Sequence, residues 1–183
     1  MPRIPLPDPA TLTAAARAEV ERTPINLQRL LAGASEGVFL GFNAFSGAFY
    51  GSSDLPAPLR EVAILRVAEL SECAYERMHH VALALHVGLT QEQVEAIRRG
   101  EASAACLSEA QRAVLKLAEE VVLKVRASDA TLTEVRRHLS DRQLLDLILV
   151  TGLYRMVAAA IETSGIALDG AEIDWQALGS RVE

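Results

Sequence analysis

Two similar apolar segments lie 50 residues apart and constrain the fold more than any other feature of the sequence. AILRVAEL at 63–70 aligns with AVLKLAEE at 113–120, and LTQEQV at 89–94 aligns with LSDRQL at 139–144 in the same register. Copies of a short helical unit bury their apolar faces by packing on each other. The matches therefore predict a duplicated helical unit of about 50 residues.

The apolar residues follow helical spacing along most of the chain. Segment 59–70 is apolar on nearly every side, which indicates a buried helix. Helices are predicted at 10–22, 36–50, 59–72, 71–87, 89–100, 108–124, 131–138 and 140–165. No run alternates apolar and polar residues with enrichment in β-branched side chains, so no sheet is expected. The predicted fold class is all-α.

The loop GSSDLPAP at 51–58 contains the clearest turn signals and marks a boundary. We expect an N-terminal arm with helices that pack on the core at 1–54, a helical core at 55–166, and a C-terminal tail, as a surface arm, at 167–183. Within 36–50, three Phe side chains recur at helical spacing and predict a face that packs into the core: Phe42, Phe45 and Phe49.

Charge and hydropathy argue against nucleic acid and membrane partners. The formal net charge is −6 and no stripe of Lys or Arg is present, so phosphate backbones have no obvious binding surface. The longest apolar run, 144–150, is interrupted by Asp146 and falls short of the ~18 residues of a membrane span. Proline residues interrupt the N-terminus where a signal peptide needs an apolar run. With only two Cys, the chain is expected to be cytoplasmic.

The segment SECAYERMHHVALAL at 71–85 holds the candidate catalytic residues. On a helix, Cys73, Glu76 and His80 share one face, and a carboxylate one turn from an imidazole can orient it and share its proton. Glu61, on the neighbouring apolar helix, is a third candidate. An exposed Glu–His pair and a buried, unreactive Cys remain open as alternatives. The second copy of the repeat replaces all four with other residues: Gln111, Leu123, Arg126 and Ala130.

Other polar residues are candidates for substrate binding. Tyr75 and His79 form a second pair one turn apart and are expected at the pocket edge. Arg66 or Arg155 would bind a substrate carboxylate. An Arg in the apolar segment LILVTGLYRMVAAAI needs a carboxylate or an anion, so Arg155 is expected to form an internal salt bridge with a residue such as Glu61 or Glu69.

No metal or cofactor is expected. No HExxH spacing occurs, and adjacent His79 and His80 diverge around a helix, so the available ligand types do not converge. Cys106 lies in an Ala- and Ser-rich connector and is set aside as a small buried residue.

Residues 60–97, REVAILRVAELSECAYERMHHVALALHVGLTQEQVEAI, resemble the core motif of the carboxymuconolactone decarboxylase and AhpD-like alkylhydroperoxidase superfamily. The resemblance extends loosely to about residue 166. It implies an all-α fold with a repeated helical motif, assembled as a homotrimer or homohexamer, that acts on a small-molecule substrate.

The two branches of this superfamily imply different chemistry. The hydroperoxidase branch has Glu, then Cys-x-x-Cys, then His, at positions that correspond to Glu61, Cys73, Glu76 and His80. The second Cys is Glu76 here, so the disulfide step of a dithiol cannot occur. The decarboxylase branch has Glu and His four residues apart, followed by an Ala/Leu segment and Gly-Leu-Thr, as in this chain.

The leading hypothesis is therefore a cofactor-free acid/base enzyme of the decarboxylase type that acts on a small organic acid or lactone. In it, Glu76 orients His80, which delivers a proton, and Glu61 relays that proton. A thiol-dependent peroxidase that uses Cys73 is the first alternative, and it requires a thiol pKa below the usual value of about 8.5. A helical oligomer without catalytic activity is the second.

Overall fold

The computed structural model describes residues 2–170, and this range is helical without any strand. A short 3-10 turn at Pro9–Thr11 precedes nine α-helices in the described range. They are α1 Ala14–Arg22, α2 Asn26–Leu31, α3 Glu36–Gly51, α4 Ala57–Leu70, α5 Ala74–His86, α6 Gln91–Arg99, α7 Glu109–Lys124, α8 Asp129–Val135 and α9 Asp141–Ser164. The predicted all-α fold class is confirmed. The sequence reading missed α2, which has no side-chain cap and only six residues.

Helix α4 is the centre of the core. It packs against α5, α6, α7 and α9, and the residues from Arg60 to Leu65 are all buried. Because neighbouring helices cover α4 on all sides, its sequence has no polar face, as the apolar pattern predicts. Its two buried charged residues, Arg60 and Glu61, therefore need partners inside the protein.

Hydrogen-bonded caps fix where several helices begin. Thr90 and Gln93 form a capping box at the start of α6, and Ser140 and Gln143 form another at the start of α9, 50 residues later. In each box the hydroxyl accepts from the third helical N–H, and the Gln side chain accepts from the cap residue's N–H. These two helix starts agree with the 50-residue offset, while the duplication itself stays a prediction.

The N-terminal helices form a small cluster of their own beside the main core. Ala16, Ala32 and Phe39 are its buried members. The expected core-facing aromatic stripe on α3 is only partly right, because Phe49 is 5% exposed whereas Phe45 is 44% exposed. The exposed side of α3 therefore has no neighbour within residues 2–170.

Residues 167–170, the first part of the expected C-terminal surface arm, are exposed in part but are bonded to the N-terminal part of the chain. The Asp169 side chain is buried and its Oδ1 accepts from the Asn26 backbone N–H at 2.8 Å, at the start of α2. The Asn26 side chain in turn donates to the Ala167 carbonyl. Residues 167–170 are thus tied to the N-terminal part of the chain, and residues 171–183 of the predicted tail lie outside the described range.

Helix α9 is long and apolar enough to span a bilayer by length and composition. It packs on α4 and α7, and 44% of its most apolar window is buried inside the protein. In the described part of the chain, α9 thus packs along the central helix α4 and leaves part of its apolar surface uncovered.

Replacing Leu65 with Ala should lower the free energy of unfolding by about 2 to 5 kcal/mol, because the side chain is completely buried in α4 and its loss leaves a cavity. Leu123→Ala is the control, since this Leu on α7 is 64% exposed and its loss should cost less than about 0.5 kcal/mol. Urea unfolding followed by circular dichroism measures both. Equal losses for the two variants would contradict the assignment of α4 as the core helix.

Candidate active site

A tight turn between α4 and α5 positions Cys73. Glu72 adopts the left-handed conformation with φ 52, the Cys73 N–H donates to the Ala68 carbonyl, and the Glu72 N–H donates to the Glu69 carbonyl. These two bonds form a Schellman motif, which ends a helix and reverses the chain. Cys73 is consequently the N-cap of α5. The sequence analysis placed Cys73 within the helix, and this expectation is wrong.

The carboxylate that orients His80 is Glu61, not Glu76. His80 Nδ1 lies 2.8 Å from Glu61 Oε2, and both side chains are buried. Arg60 Nε donates to the other oxygen, Oε1, at 3.0 Å, so the carboxylate is held on both sides. An ionised carboxylate only accepts hydrogen bonds, hence Nδ1 carries the proton. Within residues 2–170, no hydrogen bond reaches Nε2 of His80, which leaves this atom available for chemistry.

Two tyrosines complete the surroundings of this pair. The Tyr154 ring lies edge-on to the His80 ring, with the centroids 4.6 Å apart, and its hydroxyl is hydrogen-bonded to that of Tyr50. The Arg60 guanidinium stacks over the Tyr50 ring at 4.1 Å. Burial raises the pKa of both hydroxyls well above the usual value, so both tyrosines stay neutral.

Glu76 is a buried carboxyl that lacks the partners a carboxylate needs. It is 2% exposed, and neither side-chain oxygen has a hydrogen-bond partner within residues 2–170. Burial, together with the nearby charge of Glu162, raises its pKa from 4.5 to about 8, although Arg155 opposes the shift. Glu76 therefore holds its proton at neutral pH, which is the state of a general acid.

The Cys73 thiol has the opposite character to that of a reactive cysteine. The residue is completely buried, and burial is the largest of the effects that raise its pKa to about 12. A hydrogen bond to the Glu76 backbone lowers the pKa, whereas the Glu76 and Glu162 carboxyls raise it further. With two carboxyl groups beside it, this thiol is neutral and a poor nucleophile at physiological pH.

An open groove of about 510 Å³ lies beside the turn that ends α4, and two of its lining residues, Arg155 and Glu162, act on the pKa of the buried Glu76. Cys73, Glu76 and His80 are not among the residues that line it. Its lining residues come from α9 and from the turn after α4: Ser71, Gly152, Arg155, Met156, Ala158, Ala159 and Glu162. Arg155 Nη1 donates to the Ser71 hydroxyl at 2.9 Å, and no carboxylate of the described chain forms a salt bridge with it. The expected salt bridge of Arg155 is therefore not formed, because Glu61 binds Arg60, and Glu69 binds Arg77 and Arg98.

Tyr75 and His79 lie beside the C-terminal segment instead of on the groove. Their rings stack with centroids 4.4 Å apart, and both contact Asp169: the Tyr75 hydroxyl donates to Oδ2, which lies 3.1 Å from His79 Nε2. Tyr75 also accepts from the Leu27 N–H at 3.0 Å. Burial and the neighbouring His80 lower the pKa of His79 to about 4. These contacts join α5 to α2 and to residue 169. Neither residue lines the groove, so substrate binding by Tyr75 and His79 stays a prediction.

Arg66 has partners that account for its position. Its Nη2 lies 2.6 Å from Glu119 Oε1, and its Nη1 donates to the Arg98 carbonyl at 2.9 Å. The guanidinium thus links α4 to α6 and α7 and is not among the groove residues. The neighbour of Arg155 that the sequence reading overlooked is Glu162. It follows Arg155 by seven residues, a spacing that places both on one face of α9.

The structure offers no cluster suited to a metal ion. Across residues 2–170, no group of three or more His, Cys, Asp or Glu side chains is arranged to hold one.

Comparisons with known proteins agree with this fold. Residues 37–120 match the model of the carboxymuconolactone decarboxylase family. The crystal structure of an AhpD-core, uncharacterized peroxidase-related protein from Ralstonia eutropha JMP134 has a TM-score of 0.80 at 19% identity, over 97% of this chain and 96% of that one. A second uncharacterized peroxidase-related protein, from Silicibacter sp. TM1040, has a TM-score of 0.72 at 21% identity. The similarity covers 91% of this chain and 87% of that one.

A third similar structure is a cysteine-to-alanine variant of the debrominase Bmp8 in complex with 2,3,4-tribromopyrrole. Its TM-score is 0.73 at 13% identity, over 98% of this chain and 97% of that one. None of the curated proteins compared with the chain matches it. At such low identity these structures establish a shared fold. The family model covers a little under half of the chain, and together with the shared fold it supports the resemblance to the carboxymuconolactone decarboxylase and AhpD-like superfamily.

The raised pKa of Glu76 should make stability depend on pH. The pKa is about 8 when folded and near 4.5 when unfolded, so the folded state retains a proton that the unfolded state has lost. Stability contributed by neutral Glu76 is full below about pH 4.5 and disappears as the pH rises through about 8. Each unit of difference in pKa corresponds to about 1.4 kcal/mol.

Accordingly, the free energy of unfolding of the wild type should fall by a few kcal/mol relative to that of Glu76→Gln as the pH rises from about 5 to about 8.5. Urea unfolding at a series of pH values measures the difference. Glu92→Gln, an exposed change on α6, should give a nearly constant difference. If the difference in free energy of unfolding between the wild type and Glu76→Gln did not change with pH, the pKa of Glu76 would not be raised in the folded state.

Proposed function

We propose that this chain is a cofactor-free acid/base enzyme of the carboxymuconolactone decarboxylase type, acting on a small organic acid or lactone. The observation that carries the proposal is a pair of distinct proton carriers on α5, one of which is coupled electrostatically to the groove residues Arg155 and Glu162. Glu76 is neutral at neutral pH because of its burial, and His80 is held in a single orientation by Glu61. Groups whose environments separate their protonation states are typical of acid/base active sites.

The groove residues provide the means to bind an acidic substrate. Arg155 is exposed, and its guanidinium donates only to a neutral Ser71 hydroxyl within the described chain, so it can also donate to a carboxylate or a lactone carbonyl of the substrate. The apolar lining from Met156 and Ala159 would surround the carbon skeleton. A substrate bound there also acts on Glu76 through charge, because the groove residues Arg155 and Glu162 both affect the pKa of that carboxyl.

The reaction proceeds by loss of CO2 and transfer of one proton. The bond between the departing carboxylate and its carbon breaks, and the electron pair enters the adjacent unsaturated carbonyl system as an enolate. Glu76 donates its proton to carbon and becomes a carboxylate. His80, one helical turn further along α5, takes up a proton from solvent water at Nε2, and the Glu61 carboxylate stabilises the resulting imidazolium. The imidazolium then passes this proton to the Glu76 carboxylate and becomes neutral again. The site thus returns to its starting state with no oxidant or reductant.

Thiol-dependent peroxidase chemistry is the alternative, and the surroundings of Cys73 speak against it. That chemistry needs a thiolate that peroxide can reach. Here the thiol is completely buried and its pKa is raised to about 12. The residue at the position of a second cysteine is Glu76, which cannot form a disulfide. The Glu76 carboxyl therefore argues against a thiol-dependent peroxidase, and in the decarboxylase hypothesis it is the general acid.

Removing either proton carrier should abolish most turnover. Screening a panel of unsaturated lactones and keto acids for CO2 release identifies a substrate, after which Glu76→Gln and His80→Ala should each lower kcat by about 10² to 10⁴-fold. Glu61→Gln should also lower kcat, because it weakens the hold on the imidazole. His86→Ala, an exposed change at the end of the same helix, is the control and should keep wild-type turnover.

Near wild-type turnover by both Glu76→Gln and His80→Ala would contradict the acid/base assignment. Absence of turnover and of any thermal shift with the whole panel, including hydroperoxides, would favour the reading of a helical protein without catalytic activity.

Cys73 should be inert as a nucleophile. In a Cys106→Ser background, alkylation of Cys73 by iodoacetamide should stay slow up to about pH 9, since only about one thiol in ten thousand is ionised at pH 8 when the pKa is about 12. Cys73→Ala should retain decarboxylase turnover within a few-fold. Fast alkylation at neutral pH, with peroxide reduction that Cys73→Ala abolishes, would instead establish the peroxidase alternative.

A further inference from the structure

The groove along α9 carries two opposite charges that do not neutralise each other. Arg155 and Glu162 both line it and both are exposed. They lie seven residues apart on one face of the helix, which is about 10 Å along its axis. Neither side chain forms a salt bridge with another residue in the described range. Both charges are therefore available to a ligand in the groove.

One turn of the chain holds both charged groups in place. The Arg155 guanidinium donates to the hydroxyl of Ser71, at the end of α4. The Glu162 carboxyl accepts a hydrogen bond from the thiol of Cys73, at the start of α5. Ser71 and Cys73 are two residues apart, so their Cα atoms are at most about 7 Å apart. One small molecule can therefore reach both charged groups.

Neither contact exhausts the binding capacity of its charged group. A guanidinium has five N–H donors, and an ionised carboxylate has about four acceptor positions. Ser71 and Cys73 are neutral and use only a small part of these, so the rest remain for a ligand. Between the two charges, α9 lines the groove with small or apolar side chains: Met156, Ala158 and Ala159. A short carbon skeleton fits this stretch better than further polar groups do.

We propose that the groove selects acids that also carry a hydrogen-bond donor, with Arg155 binding the carboxylate and Glu162 binding the donor; this inference rests on the proposed function for the reaction of the bound acid. The class comprises amino acids and hydroxy acids with a short apolar skeleton. An ammonium or hydroxyl group forms a charge-assisted hydrogen bond with the Glu162 carboxylate. A second carboxylate at that end is repelled, so dicarboxylic acids are excluded.

A ligand with both groups also keeps Glu76 ready to donate its proton. The charge of Glu162 raises the pKa of Glu76, and the charge of Arg155 lowers it. A carboxylate bound to Arg155 alone would cancel the lowering effect and make Glu76 a weaker acid. A donor group bound to Glu162 offsets the raising effect at the same time. Acids of the proposed class therefore bind without weakening the buried acid.

Four acids with the same carbon skeleton test the selectivity. Pentanoate is compared with the pentanoates that carry a terminal ammonium, a terminal hydroxyl or a terminal carboxylate, by isothermal titration calorimetry on the wild type. None of them contains the unsaturated carbonyl group that the proposed decarboxylation needs, so binding is measured without turnover. The ammonium and hydroxyl compounds should bind about 10-fold more tightly than pentanoate, and the dicarboxylate should bind more weakly.

Substitutions of the two charged residues should change this order in opposite ways. In Glu162→Gln the side-chain amide can donate to a carboxylate, so the dicarboxylate should bind more tightly than to the wild type and the ammonium compound about 10-fold more weakly. Arg155→Ala should weaken the binding of all four acids at least about 10-fold. Glu92→Gln removes one negative charge from an exposed site on α6, outside the groove, and should keep the wild-type order.

Several results would overturn the selectivity. They are equal binding of pentanoate and its ammonium derivative by the wild type, tightest binding of the dicarboxylate, and no binding of any of the four acids at millimolar concentration. The same order of affinities in the wild type and Glu162→Gln would also overturn it, because the preference would then come from the net charge of the protein.

The titrations separate this selectivity from the proposed function because they do not depend on turnover. The predicted order of affinities, without decarboxylation of any acid, would count against the proposed function alone. Conversely, turnover of dicarboxylic acids in preference to hydroxy and amino acids, abolished by Glu76→Gln, would support the proposed function and overturn the selectivity.

Discussion

The buried contact between Glu61 and His80 is the interaction on which the site depends. Glu61 is completely buried on the central helix, where an unpaired carboxylate would be prohibitively costly. Arg60 and His80 supply its two partners, so the charge is tolerated, and α4 and α5 are fixed relative to each other. The same contact determines which imidazole nitrogen carries the proton and leaves the other available. Core packing and chemistry therefore share one constraint.

The same packing places the side chains of Glu76 and Cys73 in a buried environment of low polarity. Glu76 and Cys73 lie where α5 begins, buried against α9, and neither has a cation close enough to stabilise a negative charge fully. Both pKa values rise as a result, so the carboxyl becomes an acid at neutral pH and the thiol becomes unreactive. Burial is the main cause for both groups, so the carboxyl of Glu76 and the thiol of Cys73 are neutral for the same reason. Proton transfer is the chemistry that such a site favours.

Much of the fold could be predicted from sequence because its signals are local. Helix α9 shows this well: Ser140 and Gln143 mark its start and Gly165 its end, and both limits agree with the structure. Contacts between distant segments could not be predicted. Spacing alone paired Glu76 with His80, whereas the partner is Glu61, nineteen residues earlier on another helix. Likewise, nothing local indicates that Asp169 folds back onto Tyr75, or that Arg155 avoids every described carboxylate.

The state of the His80 ring tests the central claim most directly. In protein labelled with ¹⁵N-histidine, the imidazole nitrogens report the position of the proton, and comparison with His80→Gln assigns the His80 signals among the four histidines. A proton on Nδ1, with a signal of Nε2 that changes when a substrate acid is added, is the predicted result. An Nδ1 that carries no proton would show that Glu61 does not hold this ring, and the proposed acid/base site would be contradicted.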